Sequence, residues 1–239
     1  MLLGALGDGL MHVAGPPGLN WSLWISAVAA AAVTLQRRAA LSTDAARARW
    51  PDRWTELTPR PFAIASWVGC DTDGRTDIGW WDTLRYRLES KRTQFDRVLA
   101  QLPDDPAAAP ARRLAEEARA AVVRQLAVAP KLGDQPGLEE VHRFALALII
   151  ERDRAQTSAG PLLALLDQAI AGAADDEARL RLCVLRAGCA AHGLQNGLPH
   201  FRLNASQVHN AVRRALEQEG DPTDPAQRRS HLASINAQL

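Results

Sequence analysis

The sequence predicts a mainly α-helical protein that contains two short strands. Alanine- and arginine-rich stretches repeat apolar residues at helical spacing along most of the 239 residues. Glycine and proline residues divide these stretches into helices of ordinary length. Two apolar runs, at about residues 62–69 and 198–204, are short and break the helical pattern, so we predict a strand at each.

The amino-terminal part of the chain begins with a predicted buried helix at residues 21–41. The apolar run inside this helix, WSLWISAVAAAAVTL, has 15 residues, which is fewer than the roughly 20 that a membrane-spanning helix needs. Ser42, Thr43 and Asp44 can each accept a hydrogen bond from a first helical turn, which predicts the start of a second, short helix. Pro59 and Pro61 then stop helical structure before the first strand.

Residues 77–102 form a long predicted amphipathic helix. The stretch that follows, 103–110, is polar and broken by prolines, so we predict a linker between an amino-terminal part, residues 1–102, and a carboxy-terminal part, residues 111–239. Gly193 is expected to end the helix before it in the C′ position. The helices predicted after the linker lie at residues 111–128, 138–155, 162–171, 176–192, 206–219 and 226–238.

Composition limits the kinds of partner and compartment. The chain has 28 Lys and Arg residues against 27 Asp and Glu residues, so it has no overall field that would concentrate nucleic acid or an anionic membrane. Cys70, Cys183 and Cys189 form no C-x-x-C pair and are odd in number, which favours a reducing, cytoplasmic compartment over a disulfide framework. The histidines lack a second ligand at metal-binding spacing, so no metal site is expected in this chain.

The residues after the first strand are acidic. Asp71 and Asp73 precede a glycine that can adopt a positive φ in a turn. An EF-hand calcium loop is excluded, because Thr76 stands where such a loop needs glycine and Asp82 where it needs glutamate. The two aspartates either have a structural role, capping the next helix or pairing with Arg75, or belong to a functional site.

Two segments of the chain resemble phosphoenolpyruvate carboxylase. The first is similar to the family motif S-W-M-G-G-D-R-D-G-N-P-N-V, which is matched by Ser66, Trp67, Gly69, Asp71, Asp73 and Gly74. The second, HFRLNA at residues 200–205, is similar to the family segment D-I-R-Q-N-S and matches it at Arg202 and Asn204. The order of the two segments, and the helical insert of some 120 residues between them, also resemble the enzyme.

The resemblance implies a fold and two substrate contacts. Both predicted strands would belong to part of the (β/α) barrel of phosphoenolpyruvate carboxylase. Trp67 would line the apolar pocket for bicarbonate or carbon dioxide, and Arg202 would bind the substrate phosphate through its guanidinium fork. The remaining matched residues would shape the loop. A packing role for Trp67 and a buried salt bridge for Arg202 are the structural alternatives.

The chain departs from the family motif at several loop positions. Thr72 replaces an arginine, so a bidentate partner is missing there, although Arg75 lies close enough in sequence to supply a substitute charge. The other departures are Cys70 for glycine, Arg75 and Asp77 for asparagine, and Thr76 for proline.

The function implied by the resemblance is the carboxylation of phosphoenolpyruvate with bicarbonate, which gives oxaloacetate and phosphate. The complete enzyme uses Mg²⁺ or Mn²⁺, which stabilises the enolate, but the catalytic histidine and the metal-binding segments of the family are not found in this sequence. We therefore expect a fragment that is inactive alone, binds no metal itself, and acts with the remaining segments of the same enzyme, as a homo-oligomer when complete. The alternatives are a non-catalytic helical binding module derived from such an enzyme, and a helical scaffold whose likeness is accidental.

Overall fold

The computed structural model describes residues 21–60, 63–66, 68–70, 77–131 and 134–200, together with short pieces between residues 210 and 237. The mainly helical fold class predicted from the sequence is confirmed. The longer helices are α1 (Trp21–Arg49), α2 (Trp80–Gln101), α3 (Ala109–Ala127), α4 (Leu138–Ile150), α5 (Gly160–Gly172) and α6 (Asp176–His192). The strands are β1 (Ala65–Ser66) and β2 (Leu198–Pro199), and short 3-10 helices lie at Trp54–Glu56 and Pro106–Ala108.

Helix α1 is longer than the sequence predicted, because it runs without a break through the expected start of a second helix. The hydroxyl of Thr43 donates to the carbonyl of Ala39 at 2.9 Å, and the hydroxyl of Ser42 donates to the carbonyl of Arg38 at 3.1 Å. Both side chains therefore bond to the preceding turn of the same helix, instead of capping a new one. None of the described helices combines the length and the apolar character that a membrane-spanning segment requires.

The core lies among α2, α3, α5 and α6, and it contains residues from both sides of the predicted linker at 103–110. That stretch includes the 3-10 helix Pro106–Ala108, whose first turn is capped by Asp105. The two carboxylate oxygens of Asp105 accept hydrogen bonds from the backbone N–H groups of Ala107, at 2.8 Å, and Ala174, at 2.9 Å. The buried core residues include Trp54, Phe95, Val98, Ala111, Ala115, Leu162, Leu166, Leu182 and Leu185.

Gln36 of α1 lies between α6 and the end of α2. The side-chain amides of Gln36 and Gln101 exchange two hydrogen bonds of 2.7 Å each, which connects α1 to the end of α2. Gly188 on α6 makes room for this pair, since a Cβ atom there would lie 3.3 Å from Nε2 of Gln36. The small residue thus allows a buried amide to lie between two helices.

Two arginines bind the carbonyl groups that helices leave unpaired at their carboxyl ends. Arg112 donates to the carbonyl of Leu102 at 3.2 Å, just beyond α2. Arg179 donates to the carbonyl of Ile170 at 3.3 Å, in the last turn of α5. The carboxyl end of a helix has a partial negative charge and free carbonyl groups. A guanidinium there donates hydrogen bonds to the carbonyl groups and offsets the charge.

A third arginine, Arg186 on α6, holds the chain segment that leads towards β1. Its guanidinium donates to the carbonyls of Thr55, at 2.6 Å, and Leu57, at 2.8 Å, and it pairs with Asp167 of α5 at 2.8 Å. The Arg186 side chain is 11% exposed, whereas that of its partner Asp167 is 57% exposed. Arg186 therefore connects three parts of the structure through one side chain.

Helix α4 ends at Ile150, five residues before its predicted end. Glu151 follows directly, and its carboxylate accepts two hydrogen bonds from the guanidinium of Arg124 on α3, at 2.7 and 2.8 Å. This pair lowers the pKa of the Glu151 carboxyl below its ordinary value, chiefly through the hydrogen bonds. The chain then continues in turns, with the N–H of Ala155 donating to the carbonyl of Glu151 at 2.8 Å.

The remaining helix predictions agree to different extents. Helix α6 has the predicted bounds and ends at Gly193, whose φ of +68° is positive, as glycine allows, although its ψ of −134° differs from that of the left-handed helical C′ conformation. Helix α2 begins three residues later than predicted, where the carboxylate of Asp82 accepts a hydrogen bond from the N–H of Gly79 at 2.8 Å. Of the helices predicted at 206–219 and 226–238, most residues lie outside the described part.

We expect Arg186→Ala to lower the free energy of unfolding by roughly 2 kcal/mol, because two backbone carbonyl groups and the Asp167 carboxylate lose a charged donor. Chemical denaturation followed by circular dichroism measures this change. The matched control is Arg181→Ala, one and a half turns earlier on α6, where an exposed pair with Glu177 contributes little. Equal effects of the two substitutions would contradict this role for Arg186.

Candidate functional site at the paired strands

The two predicted strands lie side by side and run parallel. Ala65 faces Leu198 and Ser66 faces Pro199. The N–H of Leu198 donates to the carbonyl of Ile64, and the N–H of His200 donates to the carbonyl of Ser66, each at 2.8 Å. The two sequence segments that were singled out for chemistry therefore begin next to each other, although helices α2 to α6 separate them in the chain.

The described part of the chain includes two of the predicted site residues. Ser66 is the second residue of β1, and Gly69 lies in the turn after it. Trp67 directly follows Ser66 in the sequence, and Arg202 follows His200 by two positions. The predicted site residues outside the described part are Trp67, Asp71, Asp73, Gly74, Arg202 and Asn204.

Ser66 is the residue from which the turn after β1 starts. Its hydroxyl oxygen accepts a hydrogen bond from the N–H of Val68 at 3.3 Å, which shapes the beginning of the turn. Burial raises the pKa of Tyr86 on α2 above its ordinary value, and the nearby Ser66 side chain only partly opposes this shift. Tyr86 thus remains protonated at neutral pH.

Gly69 meets two constraints that only glycine satisfies. Its φ is +72°, in the left-handed region. A Cβ atom at this position would also lie 3.0 Å from the Cβ atom of Tyr86. The Gly69 carbonyl accepts a 2.6 Å hydrogen bond from the hydroxyl of Thr83, so the first turns of α2 hold the turn after β1 from two sides.

Cys70 stands where the resembled motif has its second glycine, and its side chain is completely buried. Burial raises the pKa of the Cys70 thiol to about 11, although Arg87 acts in the opposite direction. The thiolate is the reactive form of cysteine, so Cys70 is a packing residue and not a nucleophile at neutral pH. Cys183 and Cys189 are also buried and unpaired, and burial raises the pKa of each.

His192, the last residue of α6, holds β1 against the helices. Its Nε2 atom accepts a hydrogen bond from the backbone N–H of Ile64 at 2.9 Å. Burial, with a smaller effect of Arg97, lowers the pKa of His192 to about 4. The imidazole is therefore neutral at pH 7, and the acceptor role of Nε2 leaves the proton on Nδ1. The sequence indicated only a structural or exposed histidine and gave no sign of this contact.

A polar seam lies beneath the strands, between α2 and the end of α6. We define it as Ser90, Gln94 and Arg97 on one face of α2, with His192 and Asn196 opposite. The amide of Gln94 donates to the carbonyl of Gly193 at 3.3 Å and accepts a hydrogen bond from Arg97. The side-chain amide of Asn196 donates to the carbonyl of Ser90 at 3.4 Å.

Among the described residues, several buried atoms of this seam have no hydrogen-bond partner. They are Nε and Nη1 of Arg97, Nδ1 of His192 and Oδ1 of Asn196. Three of these four atoms are donors, and Arg97 is cationic although burial lowers its pKa. The seam can therefore donate hydrogen bonds to water or to an anion. Within the described residues, no group of three His, Cys, Asp or Glu side chains is arranged as metal ligands.

No protein-family model, no curated protein and no solved structure matches this chain.

We expect Gly69→Ala to lower the free energy of unfolding by roughly 2 kcal/mol or more, because alanine at a positive φ is strained and its methyl group would collide with Tyr86. Thermal or chemical denaturation measures the change. In the control, Gly137→Ala, the φ of −68° suits alanine and no atom lies within 4 Å of the added Cβ. A loss for Gly69→Ala as small as the control's would contradict the proposed constraint.

We also expect the stability of the protein to decrease as the pH falls, through His192. A histidine in the unfolded chain has a pKa of about 6.5, whereas that of folded His192 is about 4. Between these values the unfolded state binds more protons, so the free energy of unfolding falls as the pH falls. Above about pH 6.5 this dependence disappears.

His192→Gln tests this expectation, because a glutamine oxygen can accept the hydrogen bond from Ile64 but does not titrate. Between pH 7 and pH 4 the wild type should lose about 2 to 3 kcal/mol more stability than this variant. Urea denaturation at a series of pH values provides the comparison. Equal pH dependences of the wild type and His192→Gln would rule out His192 as the source.

Proposed function

We propose that this chain forms one part of a phosphoenolpyruvate carboxylase-type enzyme and contributes residues to its substrate site. The observation that carries the proposal is the parallel pairing of β1 with β2. The segments that resemble two separate motifs of that family begin at these strands, and chance similarity in two segments gives no reason for them to be adjacent in the fold. Membership of the (β/α) barrel is part of the same proposal.

Two residues would contact the reactants. Arg202 would bind the phosphate of phosphoenolpyruvate with its guanidinium group. Trp67 would provide an apolar wall for bicarbonate and for the carbon dioxide released from it, and would keep water from the intermediate. Ser66, bonded to Val68, and Gly69, held by Thr83, would fix the turn that carries the tryptophan.

The reaction would proceed in two steps. An oxygen of bicarbonate attacks the phosphorus of phosphoenolpyruvate, and the bond from phosphorus to the enol oxygen breaks, which gives carboxyphosphate and an enolate. Carboxyphosphate releases carbon dioxide and phosphate, and the enolate carbon attacks the carbon dioxide to form oxaloacetate. The general base and the ligands of Mg²⁺ or Mn²⁺ would come from segments outside this sequence, so the chain by itself would not complete the reaction.

The charge of the polar seam also supports a site for anions. Phosphoenolpyruvate, bicarbonate and phosphate are all anionic, and Arg97 places a positive charge with unpaired donors beneath the paired strands. No carboxylate among the described residues forms a hydrogen bond with this guanidinium. A partly buried cation that binds no carboxylate among the described residues favours the approach of an anion.

A second candidate function is that of a non-catalytic helical interaction module derived from such an enzyme. The specific observation in its favour is the apolar surface of α4, where Leu138 and Ile150 are 90% and 73% exposed. Such side chains on a water-soluble surface commonly mark an interface. This function would require neither Arg202 nor Trp67.

The first test measures the binding of phosphoenolpyruvate to this chain by isothermal titration calorimetry. Arg202→Ala should weaken binding by roughly 10- to 100-fold, because a charge-assisted hydrogen-bond pair to phosphate is lost. Arg214→Ala is the matched control, since Arg214 is an exposed residue on a nearby helical piece, and it should bind as the wild type does. Absence of binding, or equal weakening by both substitutions, would contradict the proposed substrate contact.

The second test joins or co-expresses this chain with segments that carry the family's catalytic histidine and metal-binding motifs. We expect oxaloacetate formation that depends on bicarbonate, measured through coupled reduction to malate, and a loss of roughly 100-fold or more in Arg202→Ala. Failure to form oxaloacetate while the chain still folds would favour the interaction module.

A further inference from the structure

The exposed side of α4 carries four large apolar side chains. Leu138 is 90% exposed, Leu146 43%, Ile149 65% and Ile150 73%. On a helix with 3.6 residues per turn, these positions lie along one side, with His142 between the first two. We call this set of five residues the α4 stripe.

The opposite side of α4 is firmly attached to the rest of the fold. Phe144 is completely buried and stacks on the ring of Trp80, with ring centres 6.2 Å apart and an angle of 10° between the planes. Directly after the helix, Glu151 binds Arg124 of α3 through two hydrogen bonds. These contacts fix the rotation of α4, so the stripe is exposed because the helix is held in this orientation.

We propose that the α4 stripe binds the same stripe of a second copy of this chain. The two helices run antiparallel, and the twofold axis passes between them at the level of Phe144 along the helix. In this arrangement Leu138 faces Ile150 of the second copy, and His142 faces Leu146. Each contact occurs twice, as a twofold interface requires. The inference does not depend on the enzymatic function proposed above.

The charges at the two ends of α4 favour this orientation. Glu139 and Glu140 lie in the first turn, and Arg152, Asp153 and Arg154 follow the last turn, all of them exposed. The amino end of α4 is therefore acidic, and the segment after its carboxyl end has a net positive charge. Antiparallel pairing brings the acidic end of one helix beside the basic end of the other, whereas parallel pairing would place like charges together. The helix dipoles also oppose each other favourably only in the antiparallel arrangement.

The same charges argue against a membrane surface as the occupant. Helices that lie on anionic membranes have Lys and Arg beside the apolar face, whereas the first turn of α4 has two glutamates beside Leu138. The α4 stripe is apolar, and the two ends of α4 have opposite charges, so a second copy of the same helix can cover it. The second copy is therefore the occupant that the residues favour.

The length of the helix limits the strength of the pairing. Thirteen residues give a helix about 20 Å long. Two such helices bury well under the 800 Å² or so per partner that is typical of a stable interface. The dimer should therefore dissociate in the micromolar range, and its population should increase with protein concentration.

Sedimentation velocity of the full chain across the micromolar range tests the inference. We expect a monomer–dimer equilibrium that Ile149→Glu weakens at least 10-fold, because a carboxylate would be buried in the apolar contact. The control is Leu41→Glu, at an exposed apolar position of α1 outside the stripe, which should leave the equilibrium unchanged. A monomer at every concentration, or a dimer that Ile149→Glu does not weaken, would overturn the proposal.

A charge exchange tests the orientation separately. Glu139→Lys and Arg152→Glu should each weaken the dimer, and the double variant should restore it, because the exchanged charges again meet across the twofold axis. Thermal unfolding verifies that each variant folds. Failure of the double variant to recover association would overturn the antiparallel arrangement.

Discussion

The position of β1 depends on a hydrogen bond to a buried histidine as well as on β2. A strand of two residues makes few ladder bonds of its own, and here two bonds join its segment to β2. The third bond comes from outside the ladder, where the N–H of Ile64 donates to Nε2 of His192. Because His192 terminates α6 and is held in its neutral form by burial, the end of this helix also positions the strand segment.

Several arginines of this protein bind backbone carbonyl groups. The guanidinium groups of Arg112, Arg179 and Arg186 bind backbone carbonyls at helix ends and in the segment before β1. Arg179 and Arg186 also pair with carboxylates, those of Asp176 and Asp167. In a chain that is nearly neutral as a whole, one guanidinium can therefore bind a carboxylate and backbone carbonyl groups at the same time.

The sequence predicts elements well where local pattern decides them. The bounds of α6 follow from apolar spacing and from Gly193, and the structure has the same bounds. Prediction fails where a distant partner decides. Ser42 and Thr43 can cap a helix or bond to its preceding turn, and the structure has the second arrangement. Helix α4 ends earlier than predicted, next to Glu151, whose partner Arg124 lies on a different helix. In the candidate site, too, local pattern predicts both strands. Their pairing and the positions of Tyr86 and His192 beside them depend on residues far away in the sequence and could not be predicted. The roles of Trp67 and Arg202 remain predictions.

The pairing of β1 with β2 also has a consequence for the order of folding. It closes a loop of about 130 residues, which for an unstructured chain costs about 4 kcal/mol of entropy. The three hydrogen bonds that hold β1 contribute about 3 kcal/mol in total, so they cannot close this loop before the helices have shortened the distance. The strands should therefore join late, after α2 to α6 have assembled, and the rate of that last step would report on the integrity of the entire helical insert.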